Sequence, residues 1–144
     1  MSLQTQLSKV MDSMLREKPA RTRALIVDDS PIVQKVHKFF LEREGCEVDV
    51  VDCAEHALLL EPNRYQIIFV DLNLPGMSGI ELAAEIRRRE RTLQFTTRII
   101  GISAAATESG NMHDCLTAGI NELLPKPVSA QQVSEILKRW LNLQ

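Results

Sequence analysis

The chain has 144 residues, 44% of them hydrophobic and 25% charged, with a formal net charge of −2 at pH 7. That length supports one hydrophobic core with room for a short extension, and the near-neutral balance gives no global electrostatic case for binding nucleic acid. No apolar stretch approaches the length of a membrane span and no signal-peptide pattern opens the chain, so no membrane contact is expected.

Residues 1–20 come first and stand apart. Leu3, Leu7, Val10 and Met14 step by 4, 3 and 4, with Met11 and Leu15 alongside, and Pro19 follows. This reads as an amphipathic helix or linker ahead of a domain spanning residues 21–144. About two heptads are too few to choose between a linker and a coiled-coil segment.

Five short apolar runs follow, at residues 24–27, 48–51, 67–70, 99–102 and 123–124. Continuous runs rich in Val and Ile suit strands buried on both faces of a parallel sheet. Helical patterns lie between them. Ser30 can cap a helix with Pro31 at its first position, with Ile32, Val33, Val36, Phe39 and Phe40 as its expected inner face and Gly45 as its end. Asp52 with Glu55, Ser78 with Glu81 and Ser129 with Gln132 have capping-box spacing. Arg87, Arg88, Arg89 and Arg91 form the one dense basic run, read as a solvated helix end rather than a phosphate patch. Thr107 can start a weaker helix carrying Met112, Cys115 and Leu116, which Gly119 closes. Val133, Ile136, Leu137, Trp140 and Leu141 form a clean stripe that should dock on the sheet. Strand and helix thus alternate five times, which predicts a single α/β domain: a doubly wound parallel sheet with helices on both faces.

Cys46, Cys53 and Cys115 lack CxxC spacing and read as reduced thiols, which makes a reducing cytoplasm the expected compartment. His37, His56 and His113 read as isolated surface or partly buried side chains, with no pair at metal-ligand spacing.

In an open parallel sheet, ligands bind beyond the carboxyl ends of the strands. Asp28 and Asp29 end the first run, Asp71 the third and Ser103 the fourth, and Lys126 follows the fifth. Three carboxylates would then meet one hydroxyl and one ammonium, and one lysine offsets only part of the charge. Mg²⁺ suits such an oxygen-rich site. A carboxylate can also attack phosphorus to give an aspartyl phosphate, with Lys126 and Ser103 placed to hold the phosphoryl oxygens. A lone Asp at a strand end is commonly just a turn residue; five polar groups closing successive segments are far more specific.

At these residues the sequence resembles the receiver domain of two-component response regulators. The resemblance covers residues 23–141 and rests on the run ending in Asp28-Asp29, on Asp71-Leu-Asn-Leu-Pro-Gly-Met-Ser-Gly79, on Ile102-Ser103-Ala104, on Ala118-Gly119 and on Pro125-Lys126-Pro127. It implies a flavodoxin-like (βα)5 fold with strand order 2-1-3-4-5 and a cis Lys126–Pro127 bond. It also implies Asp71 as phosphoacceptor, assisted by Ser103 and Lys126. Mg²⁺ would be held by Asp29 and Asp71 directly, by Asp28 through water and by the backbone carbonyl of Asn73. The implied phosphodonor is a phosphohistidine on a histidine kinase or histidine phosphotransfer domain. Residues 99–141 are closest in style to the C-terminal receiver of a hybrid histidine kinase. Only residues 142–144 follow the last helix, so no output domain is expected after it.

One position departs from the family pattern: Leu123 stands where an aromatic side chain is usual. Relay of phosphate without a large output change is therefore the expected mode, with a shifted loop at residues 104–108 as the other. Asn73 and Ala105 lie where they can tune the phosphoryl lifetime. The domain is expected to promote its own phosphorylation rather than turn over a substrate. A hybrid-kinase parent chain, and a homodimer through the N-terminal helix or the Leu123 face, are left open. A flavodoxin is disfavoured because Asp28-Asp29 would repel a cofactor phosphate. A haloacid-dehalogenase-type phosphatase is disfavoured because Asn73 replaces its second acid. The serious alternative is a pseudo-receiver, the same fold used only to bind protein.

Overall fold

A computed structural model describes residues 2–15, 21–93, 96–104 and 109–142. Helix α1 (Leu3–Leu15) precedes an alternating series: β1 (Arg23–Val27), α2 (Pro31–Arg43), β2 (Glu47–Val51), α3 (Ala54–Leu59), β3 (Ile67–Asp71), α4 (Gly79–Glu90), β4 (Arg98–Ser103), α5 (Ser109–Ala118), β5 (Glu122–Pro125) and α6 (Ala130–Leu141). The strands form one parallel sheet in the order β2-β1-β3-β4-β5, as the resemblance implied.

Successive residues of a strand face opposite sides, and the core divides accordingly. Leu25, Val27, Ile68, Val70 and Ile99 pack with Ala57 of α3, Leu82 and Ile86 of α4 and Cys115 of α5. Ala24, Ile26, Phe69, Ile100 and Ile102 pack with Leu41 of α2 and Val133, Ile136 and Leu137 of α6. The stripe expected on α6 is the one that docks, and its capping box forms in full between Ser129 and Gln132. Ser30 and Ser78 cap α2 and α4 as expected. Thr107 and Ala105 lie outside the described residues.

Three local expectations fail. Asp52 does not cap α3: Cys53 occupies the N-cap position without a side-chain cap bond, and Glu55 instead accepts the Met77 N–H at 2.9 Å. The arginine run is not simply a solvated end. Arg87 is half-buried and donates to the carbonyls of Gly119 and Thr97 and to Asn121 Oδ1, tying α4 to the segments around β4 and β5. Arg88 and Arg89 pair with Glu85.

The third failure is partial: of the expected inner face of α2, Val33 and Phe40 hold while Ile32, Val36 and Phe39 do not. His37 and Leu41 are buried there, with Val33 and Phe40 half-buried beside them, while Ile32 is 75% exposed, Phe39 58% and Val36 40%. The helix carries two apolar stripes at helical spacing, and the sheet takes the one that includes His37. Nothing in a hydrophobicity pattern favours a histidine at such a position.

Among the described residues His37 Nδ1 is buried without a hydrogen-bond partner. Burial, and then the charge of Lys126, hold the imidazole below its ordinary pKa of 6.5. An imidazole kept neutral in the fold opposes folding once the unfolded chain can protonate. The stability of the fold is therefore full above about pH 6.5 and declines as the pH falls from there toward the depressed folded value. His37→Leu should raise the urea midpoint, with a gap over the wild type that widens between about pH 7.5 and pH 5. A constant gap would mean that His37 does not titrate with folding.

Candidate functional site

The carboxyl ends of β1 and β3 bring acids together because a parallel sheet points its strand ends the same way. Asp28 follows β1 directly and Asp71 is the last residue of β3. Both are buried, at 2% and 4% exposure, whereas Asp29 is exposed. Ligand oxygens of Asp28, Asp29 and Asp71 lie within 4.8 Å of one another. Lys126, just past β5, reaches across to donate to Asp71 Oδ2 at 2.9 Å and lies 3.7 Å from Asp28 Oδ2. Its peptide bond to Pro127 is cis. Ser103 ends β4, buried, and its carbonyl accepts the Lys126 N–H at 3.2 Å.

Local turns fix the carboxylates. Asp28 Oδ1 accepts the Ser30 N–H at 2.8 Å, and Asp71 Oδ1 accepts the Asn73 N–H at 2.9 Å. These are Asx-type turns, in which a short acid bonds the backbone two residues on. The side chain of Gln34 donates to the Asp28 carbonyl, a support that nothing in the sequence announced. Gly79 opens α4 beneath the site, where an added Cβ would lie 2.6 Å from the Asp71 carbonyl oxygen and 2.9 Å from Leu72 Cα. Only glycine lets α4 start this close to the acid.

The electrostatics are lopsided. Burial pushes the Asp28 carboxyl above its ordinary pKa. The Ser30 N–H and the Lys126 charge pull it back, while Asp71 and Asp29 push it further up. For Lys126, burial favours loss of the proton, but the Asp71 hydrogen bond and the charges of Asp28 and Asp71 outweigh it, and its pKa ends above the ordinary value. Among the described residues Asp28 Oδ2 is buried with no hydrogen-bond partner. A buried acceptor held only by a long ion pair among three acids matches a hard cation with oxygen ligands, so these residues fit Mg²⁺.

The sequence expectations for Asp28, Asp29, Asp71, Ser103 and Lys126 thus converge on one edge of the sheet, and Asn73 adjoins it as an exposed turn residue. Leu123 lies in β5, half-buried against the core, beside Gly101 of β4. A second convergence was not anticipated. Asp52, Cys53 and His56 place ligand atoms within 4.8 Å of one another, so His56 is not isolated. The signal was present in the spacing Asp-Cys-x-x-His at a helix start.

A doubly wound sheet with an acid cluster and a lysine at its carboxyl edge is the architecture of a phosphoacceptor module. Residues 24–138 match the family model described as response regulator receiver domain, and the chain belongs to that family. It is 34% identical over 125 residues to hybrid signal transduction histidine kinase C of Dictyostelium discoideum, covering 84% of this chain but only 10% of that relative. Among solved structures, it is similar to the receiver domain of a sensor histidine kinase from Pseudomonas aeruginosa that has magnesium coordinated in its active-site cleft. That match has a TM-score of 0.74 and 33% identity, and covers 85% of this chain and 99% of that one. It is also similar to the receiver domain of the response regulator Ssk1 of Saccharomyces cerevisiae, co-crystallised with the histidine phosphotransfer protein Ypd1. Here the TM-score is 0.76 and the identity 26%, with 86% and 92% covered. The chain is a receiver domain of two-component and phosphorelay signalling.

Because the Cβ contacts at Gly79 are with backbone, they cannot be relieved by a rotamer change. Gly79→Ala should cost about 1–3 kcal/mol, read as a lower urea midpoint at unchanged slope. An unchanged midpoint would show that α4 can shift away from Asp71 freely.

Proposed function

We propose that Asp71 accepts a phosphoryl group from a phosphohistidine on a histidine kinase or histidine phosphotransfer domain, with Mg²⁺ as cofactor. The observation that carries this is the Asp71 carboxylate, buried at a strand end and already hydrogen-bonded to Lys126. An Asp71 oxygen attacks phosphorus, a P–O bond forms as the P–N bond to the donor imidazole breaks, and the imidazole leaves with the bond's electron pair, taking up a proton. Lys126 exchanges its bond to Asp71 for a phosphoryl oxygen, and the Ser103 hydroxyl donates to another. Asp28, Asp29, Asp71 and the Asn73 carbonyl would hold the metal, which when bound neutralises the charge gathered on the phosphoryl oxygens. A phosphorylation-independent binding module is not favoured, since it has no use for this complete set of groups.

The donor's docking surface, in this reading, is the unused stripe of α2. Ile32, Val36 and Phe39 are exposed on the helix whose N-terminus adjoins Asp28 and Asp29, and an apolar patch beside a reaction centre suits an amphipathic partner helix. Residues 21–144 form the receiver and residues 1–20 a segment outside it. No described helix is long and apolar enough to cross a membrane, which accords with work in the cytoplasm. A hybrid-kinase parent fits the Dictyostelium relative, of which this chain spans a tenth. With Leu123 at the usual aromatic position, relay is the favoured mode.

Intact mass after incubation with a phosphoramidate should show a gain of one phosphoryl group that requires Mg²⁺ and is absent in Asp71→Asn. Failure of the folded wild type to gain it would leave protein binding as the better account. Phe39→Glu should slow transfer from a phosphohistidine-bearing protein by more than about tenfold, the scale of one good interface anchor, with uptake from the phosphoramidate unchanged. Equal loss from both donors would place Phe39 in folding rather than docking.

A further inference from the structure

Cys53 is the N-cap residue of α3, and His56 stands three residues later. At the start of a helix these two positions face each other, as they do in a capping box. Here the N-cap side chain makes no bond to the helix backbone, so the thiol is not engaged as a cap. Asp52, one residue earlier, brings Oδ1 to 3.0 Å from His56 Nδ1. One sulfur, one imidazole nitrogen and one carboxylate oxygen therefore lie within 4.8 Å of one another, close enough for small side-chain rotations to bring them onto one tetrahedral ion. Glu55 between them is turned away, engaged with the Met77 N–H.

We propose that Asp52, Cys53 and His56 form a second metal site, distinct from the acid pocket at Asp71 and selective for a borderline-soft divalent ion of the Zn²⁺ class. The donor set decides the class. Mg²⁺ and Ca²⁺ take oxygen ligands, whereas thiolate with imidazole selects zinc and its neighbours. Binding converts the Cys53 thiol to thiolate with one proton released to solvent. His56 coordinates through Nδ1 and keeps its proton on Nε2. Three protein ligands leave one position for water or a fourth donor. The site lies on the loop after β2, and through Glu55 the same turn is tied to Met77 in the segment following Asp71.

Co²⁺ is a direct probe because thiolate coordination gives it an intense charge-transfer absorption that oxygen ligands do not. The chelator-treated full chain would be titrated with Co²⁺ in a large excess of Mg²⁺, so that the acid pocket is saturated. Expected is a sulfur-to-cobalt band saturating at one equivalent and removed by Zn²⁺. It should be absent in Cys53→Ser, and weakened by at least about tenfold in apparent affinity in His56→Ala. The signal is assignable because Cys46 and Cys115 are buried; burial, and then the Glu44 charge, push the Cys46 thiol up to about 11. No sulfur band in the wild type, a band surviving Cys53→Ser, or unchanged affinity in His56→Ala would overturn the site. In either of the first two cases Asp52 and His56 form only a surface ion pair. His56 is exposed, so its variant tests the site even if Cys53→Ser folds poorly.

Discussion

The contact between Lys126 and Asp71 spans the sheet, from the loop after β5 to the end of β3, at 2.9 Å. Among the described residues Lys126 is the cation that meets the acids at that edge, bonded to Asp71 and at ion-pair distance from Asp28. Removing one partner from a buried ion pair leaves an uncompensated charge, so the pair binds the positions of β3 and β5 to each other. It also leaves Asp28 short of a partner, since Lys126 sits 0.8 Å farther from Asp28 Oδ2 (3.7 Å) than from Asp71 Oδ2 (2.9 Å). In the proposed function, tighter bonding at Asp71 than at Asp28 would hold the attacking group in place and leave Asp28 to favour a cation.

The rest of the fold reads as support for that edge. Gly79 lets α4 begin against Asp71 and Leu72. The turns at Ser30 and Asn73 fix one oxygen of each buried carboxylate, and Arg87 binds the far end of α4 to Gly119, Thr97 and Asn121. Reaction geometry needs this rigidity, because a group misplaced by even an ångström loses much of its catalytic advantage. Arg87 therefore acts on the fold through placement of α4.

Much of the site was legible in the sequence because its logic is topological. Once five apolar runs are read as parallel strands, the residues that end them must meet at one edge, and Asp28, Asp29, Asp71, Ser103 and Lys126 do. What could not be read was orientation about a helix axis. Residues 32, 36 and 39 and residues 33, 37 and 40 make equally regular stripes, and hydropathy favours the first. Packing chose the second and buried a histidine. The capping role of Asp52 was misread for a related reason: the spacing Asp-x-x-Glu marks a helix start only if the register is known, and α3 begins one residue later.

That same shift of one residue gives Cys53 its position. With Asp52 as N-cap, the facing partner would be Glu55 and the pair would be an ordinary acidic helix start. With Cys53 as N-cap the facing partner is His56, Asp52 lies beside them, and Glu55 is released to bond Met77. Two consequences of one register choice thus appear at the helix start. One is a soft donor set at the surface; the other is a tie to the segment that follows Asp71. The receiver edge of this chain therefore presents two different chemistries, a buried oxygen cluster around Asp71 and a sulfur-bearing one after β2, and hard and soft cations have no reason to compete between them.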